Sequence, residues 1–368
     1  MRESRKSGSV GGKFCKGLVY PTPSEKKETG MRFITCSSYY GTGSSAVTDF
    51  VSEFESVFDF TNEEFRFIQD PDGISDLEFN LIECFNRHNS GHSLKRYKRL
   101  VDFYSGNIFG SKYSGFFGEK WKEYSYEYIN KLTDFTFPGW WMYDLYDNGE
   151  WYYFRKRILN KILHKTIWRN KIDRQLNTMR NVITYCSHPT EEKFLTLTRK
   201  YIYDLFTSVI PSDKEIIMVD QLLPPMNLKR YLRYFDNNIQ TVVVDRDPRD
   251  VFVLDKYVWR DGIIPNDAET FCKWYEYTRA HRKIENMNTD QVHFIRFEDL
   301  IYKYNETTQE LIDWLSLDKK IHSRPKSRFD PEVSIKNTQT WKRYPDSRDE
   351  VLLIENQLGE YIYKFPEN

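Results

Sequence analysis

The sequence predicts an α/β fold: a parallel sheet flanked by helices, a three-layer sandwich, with a mostly helical insertion. Three observations carry this. Short apolar runs bounded by turn residues recur at 32–36, 216–219, 240–244 and 291–295. They are too short for helices and several are rich in β-branched residues, as buried strands are. Stretches of helical period separate the later runs, and strands alternating with helices pair in parallel. The first run leads at once into a Gly/Ser loop and a helical pattern, the arrangement that binds phosphate at a helix N-terminus.

The totals narrow the class. At 368 residues the chain can bury a large core without staples. Lys plus Arg equals Asp plus Glu at 54 each, so no broad basic field exists and nucleic acid is not an expected partner. Cys15, Cys36, Cys84, Cys186 and Cys272 show neither a Cys-x-x-Cys nor a zinc spacing. That usage fits the reducing cytoplasm and no bound metal. No apolar run is long enough for a membrane span. Residues 1–30 read as a flexible tail, with Met31 a candidate for the natural start.

In chain order, Arg32-Phe33-Ile34-Thr35-Cys36 reads as a buried strand. Ala46, Val47, Phe50, Val51, Phe54 and Phe58 then fall on one face of a helix. Residues 61–209 read as mostly helical, basic and aromatic, with amphipathic helices over 74–85 and 92–104 punctuated by Gly73 and Gly91. The stretch 135–154 is dense in rings, among them Trp140, Trp141, Tyr143, Tyr146 and Trp151. The basic run Arg155, Arg157, Lys161, Lys165, Arg169 and Arg174 is either a solvated helix face or a docking surface for an anionic substrate. Beyond 210 the chain returns to alternation. Strands fall at 216–219, 240–244 and 291–295, and helices at 227–235, 251–259 and 269–284. A polar loop spans about 328–346.

The loop Ser37 to Ser45 holds Gly41, Thr42, Gly43, Ser44 and Ser45, with Ala46 opening the helix. Glycines let the backbone approach an anion, hydroxyls add donors, and the helix end adds positive potential. The Gly-x4-Gly-Lys-Ser/Thr spacing of nucleoside-triphosphate loops is absent, and no lysine lies in the loop. A second segment, Val242-Val243-Val244-Asp245-Arg246-Asp247-Pro248-Arg249-Asp250, delivers Arg246 to the carboxyl edge of a strand, where α/β proteins bind ligands. Arg246 there either forks onto a phosphate or pairs with Asp247 or Asp250.

These segments resemble the sulfotransferase superfamily. The resemblance rests on the loop 41–46 and on Arg246-Asp247-Pro248-Arg249-Asp250. It extends to Phe294-Ile295-Arg296-Phe297-Glu298-Asp299-Leu300 with its following helix, and to Ser334-Ile335-Lys336-Asn337-Thr338-Gln339-Thr340-Trp341-Lys342. It covers about 30–60 and 212–345 and fades in 61–209. It implies a P-loop-like nucleotide-binding core over 31–60 and 210–368, with 61–209 forming the acceptor side. The implied co-substrate is 3′-phosphoadenosine 5′-phosphosulfate, and the implied reaction is in-line sulfuryl transfer to an acceptor hydroxyl, a carbohydrate's given the ring-rich, polar insertion. No metal is implied. Lys336 and Lys342 become candidates for the 3′-phosphate and Trp341 for the adenine.

Two positions depart from the family pattern. The loop cation falls on Tyr40 or Gly41, so Arg66, Lys95, Arg96 or another basic residue of the insertion is expected to replace it. The serine that helps hold the 3′-phosphate falls on Leu254. At the place of the family's His stand Asp220 and Gln221. Glutamine is no base, which leaves Asp220 as the candidate general base or a turn-capping residue, ahead of His88, His92 and His188. A small-molecule kinase and a non-catalytic scaffold are the competing classes.

Overall fold

The computed structural model describes residues 30–106, 112–139, 143–171, 173–174, 176, 182–260, 262–280 and 289–366. Residues 1–29, Trp140, Trp141 and the end of the helix expected over 269–284 lie outside them. Residues 31–368 form one compact unit.

Five parallel strands make the central sheet. They are β1 (Arg32–Ser38), β2 (Val57–Glu64), β5 (Ile216–Asp220), β6 (Ile239–Asp245) and β7 (Val292–Arg296), in the order β2-β5-β1-β6-β7. A separate antiparallel ribbon pairs β3 (Phe135–Gly139) with β4 (Val182–Cys186). β1 lies between β5 and β6, with Cys36 beside both Asp220 and Val242. The chain therefore leaves β1 towards one side of the sheet and later crosses to the other. Ligands of open α/β sheets bind outside the carboxyl ends of strands at such a switch point.

Side-chain alternation builds the two outer layers. Ile34, Cys36, Ile216, Met218, Val242 and Val244 face one way, onto helix α1 (Ser44–Val51) and the later helices. Phe33, Ile217, Val219 and Val243 face the other. There they meet α2 (Arg87–Tyr104), α3 (Lys120–Leu132) and α5 (Glu191–Thr207) through Leu94, Tyr97, Trp121, Ile129, Tyr201 and Phe206. The segment 61–209 thus packs as one of the two covers of the sheet and shares its core. Phe206 meets Phe33, Phe60 and Phe65 edge-on at 5.5–5.6 Å. Each such pair adds about 0.5–1.5 kcal/mol beyond burial. Among the described residues no helix is long and apolar enough to cross a membrane.

Two local expectations are corrected. α1 stops at Val51 with Ser52 as its cap, and Phe58 belongs to β2 instead of the helix face. The register Val57↔Ile216 and Phe58↔Ile217 wins because it completes a sheet edge. Gly91 sits inside α2, not between helices: a Cβ there would lie 2.4 Å from the Tyr185 carbonyl oxygen of β4. The glycine permits close approach of helix and ribbon.

Candidate functional site

A cleft of about 680 Å³ opens at the carboxyl edge of the sheet. Its walls include Ser38, Tyr40, Gly41, Gly43, Ser44, Ser45, Glu64, Arg66, Gln69, Gln221, Arg246, Trp259, Phe297 and Asn337. The loop between β1 and α1 forms its floor. Tyr40, Gly41 and Gly43 have φ of 66°, 65° and 97°. Neighbouring rings press on both glycines: a Cβ would meet Trp259 at 2.8 Å from Gly41 and Phe297 at 2.6 Å from Gly43. Tyr40 adopts the same left-handed geometry with a side chain, at a steric cost a turn of this kind must bear.

The loop residues divide by direction. Gly41, Gly43, Ser44 and Ser45 line the cleft. Thr42 is fully buried; its hydroxyl donates to Val244 O at 2.6 Å and accepts from the Tyr39 amide at 3.2 Å. It latches the loop onto β6. Ala46 packs in the core, and its amide donates to Gly43 O at 3.1 Å.

Gln221 lies across this floor. Its side-chain amide donates to Ser38 Oγ and, at 3.2 Å, to Ser44 Oγ, while its Oε1 accepts from the Ser38 amide at 3.3 Å. Gln69 Nε2 in turn donates to Gln221 O at 2.6 Å. The residue that sequence reasoning dismissed as a base is the cross-tie between β1, α1 and β5.

Asp220 lies below it, 6% exposed and outside the cleft wall. It accepts from Ser44 Oγ at 3.4 Å, and its Oδ1 has no hydrogen-bond partner. Burial pushes its pKa up to about 7, Ser44 opposes this, and the Glu64 charge adds to the rise. Glu64, opposite Asp220 in the β2–β5 register, does line the cleft, with 43% of its side chain exposed. Glu64 escapes the sequence reading because the apolar spacing that runs on to Phe58 fits a helix. Phe58 and Phe60, two residues apart with Asp59 between them, are the signal of a strand whose carboxyl end carries Glu64.

Of the cations expected to replace the loop lysine, Arg66 lines the cleft, 3.6 Å from Glu64 and 2.9 Å from Asp70. Arg96 is committed to Asp72 at 2.5 Å and Asp147 at 3.2 Å, away from the cleft, and Lys95 is not on its wall. His88 is exposed, His92 lies 3.9 Å from Asp147, and His188 stacks on Phe85 at 3.8 Å; none lines the cleft.

Arg246 closes the opposite wall, 3% exposed. Its guanidinium donates to Gly41 O at 3.1 Å and to Asn337 O, lies 4.4 Å from the Phe297 ring centre, and keeps a buried Nε without a partner. Burial lowers its pKa, and the Asp250, Glu298 and Asp247 charges counter this. Asp247 and Asp250 are engaged elsewhere. Asp247 caps helix α6 (Pro248–Val253) and takes Arg249 at 2.9 and 2.7 Å. Asp250 accepts the Gln339 and Thr340 amides at 2.9 and 2.6 Å, tying the late loop to α6. Arg246 therefore bridges two loops while Asp250 anchors one of them.

On that late loop Asn337 faces the cleft, while Lys336 and Lys342 are exposed and off its wall, the Lys342 ammonium donating to Gln339 Oε1. Trp341 lies off the cleft wall, with the Arg249 guanidinium 3.9 Å from its ring centre. Leu254, at the place of the expected serine, is buried in the core.

No family model matches the chain, and no curated protein does. Solved sulfotransferase structures are similar to it over most of its length. The sulfotransferase domain from the curacin biosynthetic pathway is 14% identical at a TM-score of 0.37, covering 92% of this chain and 99% of that one. The sulfotransferase domain of the Synechococcus PCC 7002 olefin synthase is 14% identical at 0.39, covering 94% and 98%. The sulfotransferase STF1 from Mycobacterium tuberculosis H37Rv is 11% identical at 0.31, covering 84% and 77%. At such superposition only the cleft's own residues bear on what this chain does.

Proposed function

We propose that the chain is a sulfotransferase that moves a sulfuryl group from 3′-phosphoadenosine 5′-phosphosulfate to a carbohydrate hydroxyl. One observation carries the reading. Three segments far apart in sequence, the loop 41–45, Arg246 and Asn337, converge on one cleft at the switch point of the sheet. The loop's open backbone, the Ser44 and Ser45 hydroxyls and the α1 N-terminus suit the 5′-phosphosulfate. Arg246, with its unpartnered Nε, and the exposed Lys336 and Lys342 suit the 3′-phosphate. Trp341, its face covered by Arg249, braces that loop.

The acceptor side comes from residues just past 60. Glu64, Arg66 and Gln69 supply polar groups, while Tyr40 and Trp259 supply rings against which the apolar face of a sugar can lie. In the transfer the acceptor oxygen bonds to sulfur, the bond from sulfur to the 5′-phosphate oxygen breaks, and that electron pair leaves with the nucleotide. The acceptor's proton needs a base in reach of the cleft. Glu64 meets that geometric condition, which ranks ahead of a tuned pKa. Asp220 acts as a positioning residue that holds Ser44. Arg66 takes the place of the loop lysine beside the transferring group. Cys36, Cys84, Cys186 and Cys272 are free thiols, and a cytoplasmic location suits them.

Calorimetry with 3′-phosphoadenosine 5′-phosphate and with ATP plus Mg2+ tests the donor class. Binding of the former, weakened at least tenfold in Arg246→Ala, is expected at about the level of one charged hydrogen bond. Binding of ATP alone would replace the reading with a kinase. Radiolabelled transfer into a glycan panel tests the reaction. Glu64→Gln is expected to lower kcat by about 10²–10⁴ with nucleotide affinity intact; tight nucleotide binding with no transfer to any hydroxyl would indicate a non-catalytic scaffold.

A further inference from the structure

Helix α4 (Glu150–Lys165) is amphipathic in the wrong sense for a surface helix of a globular protein. Such a helix turns its apolar stripe inward. Here Trp151, Phe154, Ile158 and Ile162, three and four residues apart, are 41–64% exposed, with Leu159 beside them at 48%. The residue of α4 that is buried is polar: Asn160, whose side chain donates to Leu176 O at 2.8 Å and accepts from the Leu176 amide at 2.6 Å. Asn160 fixes which way the helix faces, because turning the stripe inward would break both bonds. Trp151 and Phe154 stack on each other at 5.3 Å, so the stripe begins with a preformed aromatic plate. Ile167, just past the helix end, is 73% exposed and extends the apolar surface.

The charges around the stripe say what covers it. The helix carries Arg155, Lys156, Arg157, Lys161 and Lys165 against the single acid Glu150, in a chain whose charges balance overall. At about 100° per residue, Arg155 and Lys165 fall within the margins of the apolar stripe and Lys161 beside it. A protein partner's apolar groove would have to bury those cations. An anionic bilayer does not: the stems lie along the acyl boundary while the charged heads reach lipid phosphates. The helix is 16 residues long, roughly 24 Å, and suits lying in the interface plane. Trp151 is of the type that settles at that level.

We propose that α4 docks the protein on an anionic lipid surface, with Trp151, Phe154, Ile158 and Ile162 entering the headgroup–acyl boundary and the flanking Lys and Arg side chains contacting lipid phosphates. The docking is independent of the reaction assigned to the cleft, since none of these residues lines it.

Flotation of the full chain with phosphatidylcholine vesicles, with and without phosphatidylserine, tests this. The expected result is binding that requires phosphatidylserine and falls with added salt. Ile158→Glu/Ile162→Glu abolishes it, and Arg157→Glu/Lys161→Glu weakens it by about tenfold or more. Because all four side chains are exposed, both variants keep the parent melting temperature, and that measurement separates lost docking from lost folding. Failure of the parent to float with phosphatidylserine vesicles overturns the proposal. So does equal binding to neutral vesicles, or undiminished binding of the Ile158→Glu/Ile162→Glu variant. A dimer in sedimentation that this variant dissociates, with no vesicle binding by the parent, overturns it in favour of a second copy of the chain.

Discussion

Asp220 and Glu64 end neighbouring strands at the same register, yet one is sealed and the other open. The buried carboxyl is held up from its ordinary 3.8 to about 7. A raised acid pKa means the folded chain keeps a proton that the unfolded chain has already released. The associated stability is full below about pH 4 and is lost as pH rises towards 7. Asp220→Asn removes that loss, since an amide cannot ionise and its oxygen still accepts from Ser44. Its melting temperature is expected to match the parent near pH 4 and to exceed it at pH 8, by at most a few kcal/mol in stability at about 1.4 kcal/mol per unit. Thermal melts at both values check this; a gap that narrows with rising pH would refute it. Residue types were legible here only in part. The Gly/Ser loop and Arg246 could be read because their backbone needs are written into glycine and a β-branched strand. The cross-tie at Gln221 could not, because its partners Ser38 and Ser44 come from segments about 180 residues away, at separations of 183 and 177.

At the scale of elements, β2 and α2 show how periodicity misleads. Apolar spacing from Ala46 to Phe58 fits a helix, but the chain turns at Ser52 and reaches the sheet edge, where backbone pairing with β5 outweighs the local pattern. Gly91 invites an opposite error. A glycine within a helix costs about 1 kcal/mol relative to alanine, so Gly→Ala usually stabilises. Here the added methyl would strike the Tyr185 backbone oxygen at 2.4 Å, and backbone cannot swing aside as a side chain can. Gly91→Ala is therefore expected to destabilise by about 1–3 kcal/mol, the range for overpacking. Denaturant unfolding measures it, and a stabilised variant would show that helix and ribbon separate freely. The strands around 32, 216, 240 and 291 were legible because both their faces are largely buried, which leaves a short apolar run in each.

For the whole molecule, the sheet and the segment 61–209 share one core, to which Phe33, Phe60, Trp121, Phe206 and Val243 all belong, and they are expected to unfold together. Such a core could not be read from sequence: ring-rich composition announces burial but not partners. Ligand binding at the cleft should then be felt globally. If 3′-phosphoadenosine 5′-phosphate bridges the loop, Arg246 and the late loop, saturation at a hundredfold excess over Kd adds about 2.7 kcal/mol to stability. A thermal shift of several degrees in one sharp transition is expected, and Arg246→Ala, binding at least tenfold more weakly, should cut it to about half or less at the same ligand concentration. Two separate transitions, only one of them responsive, would show instead that 61–209 unfolds by itself. The position of β1 has a consequence for how this protein is made. Thr42 and Ser37 find their partners 202 and 186 residues downstream, so the central strand leaves the ribosome with neither neighbour yet synthesised. At about 5–20 residues per second that leaves it unpaired for roughly 10–40 s. Phe33, Ile34 and Cys36 are exposed during that interval, which makes the nascent amino-terminal third a natural client for chaperones and the stage at which aggregation competes with folding.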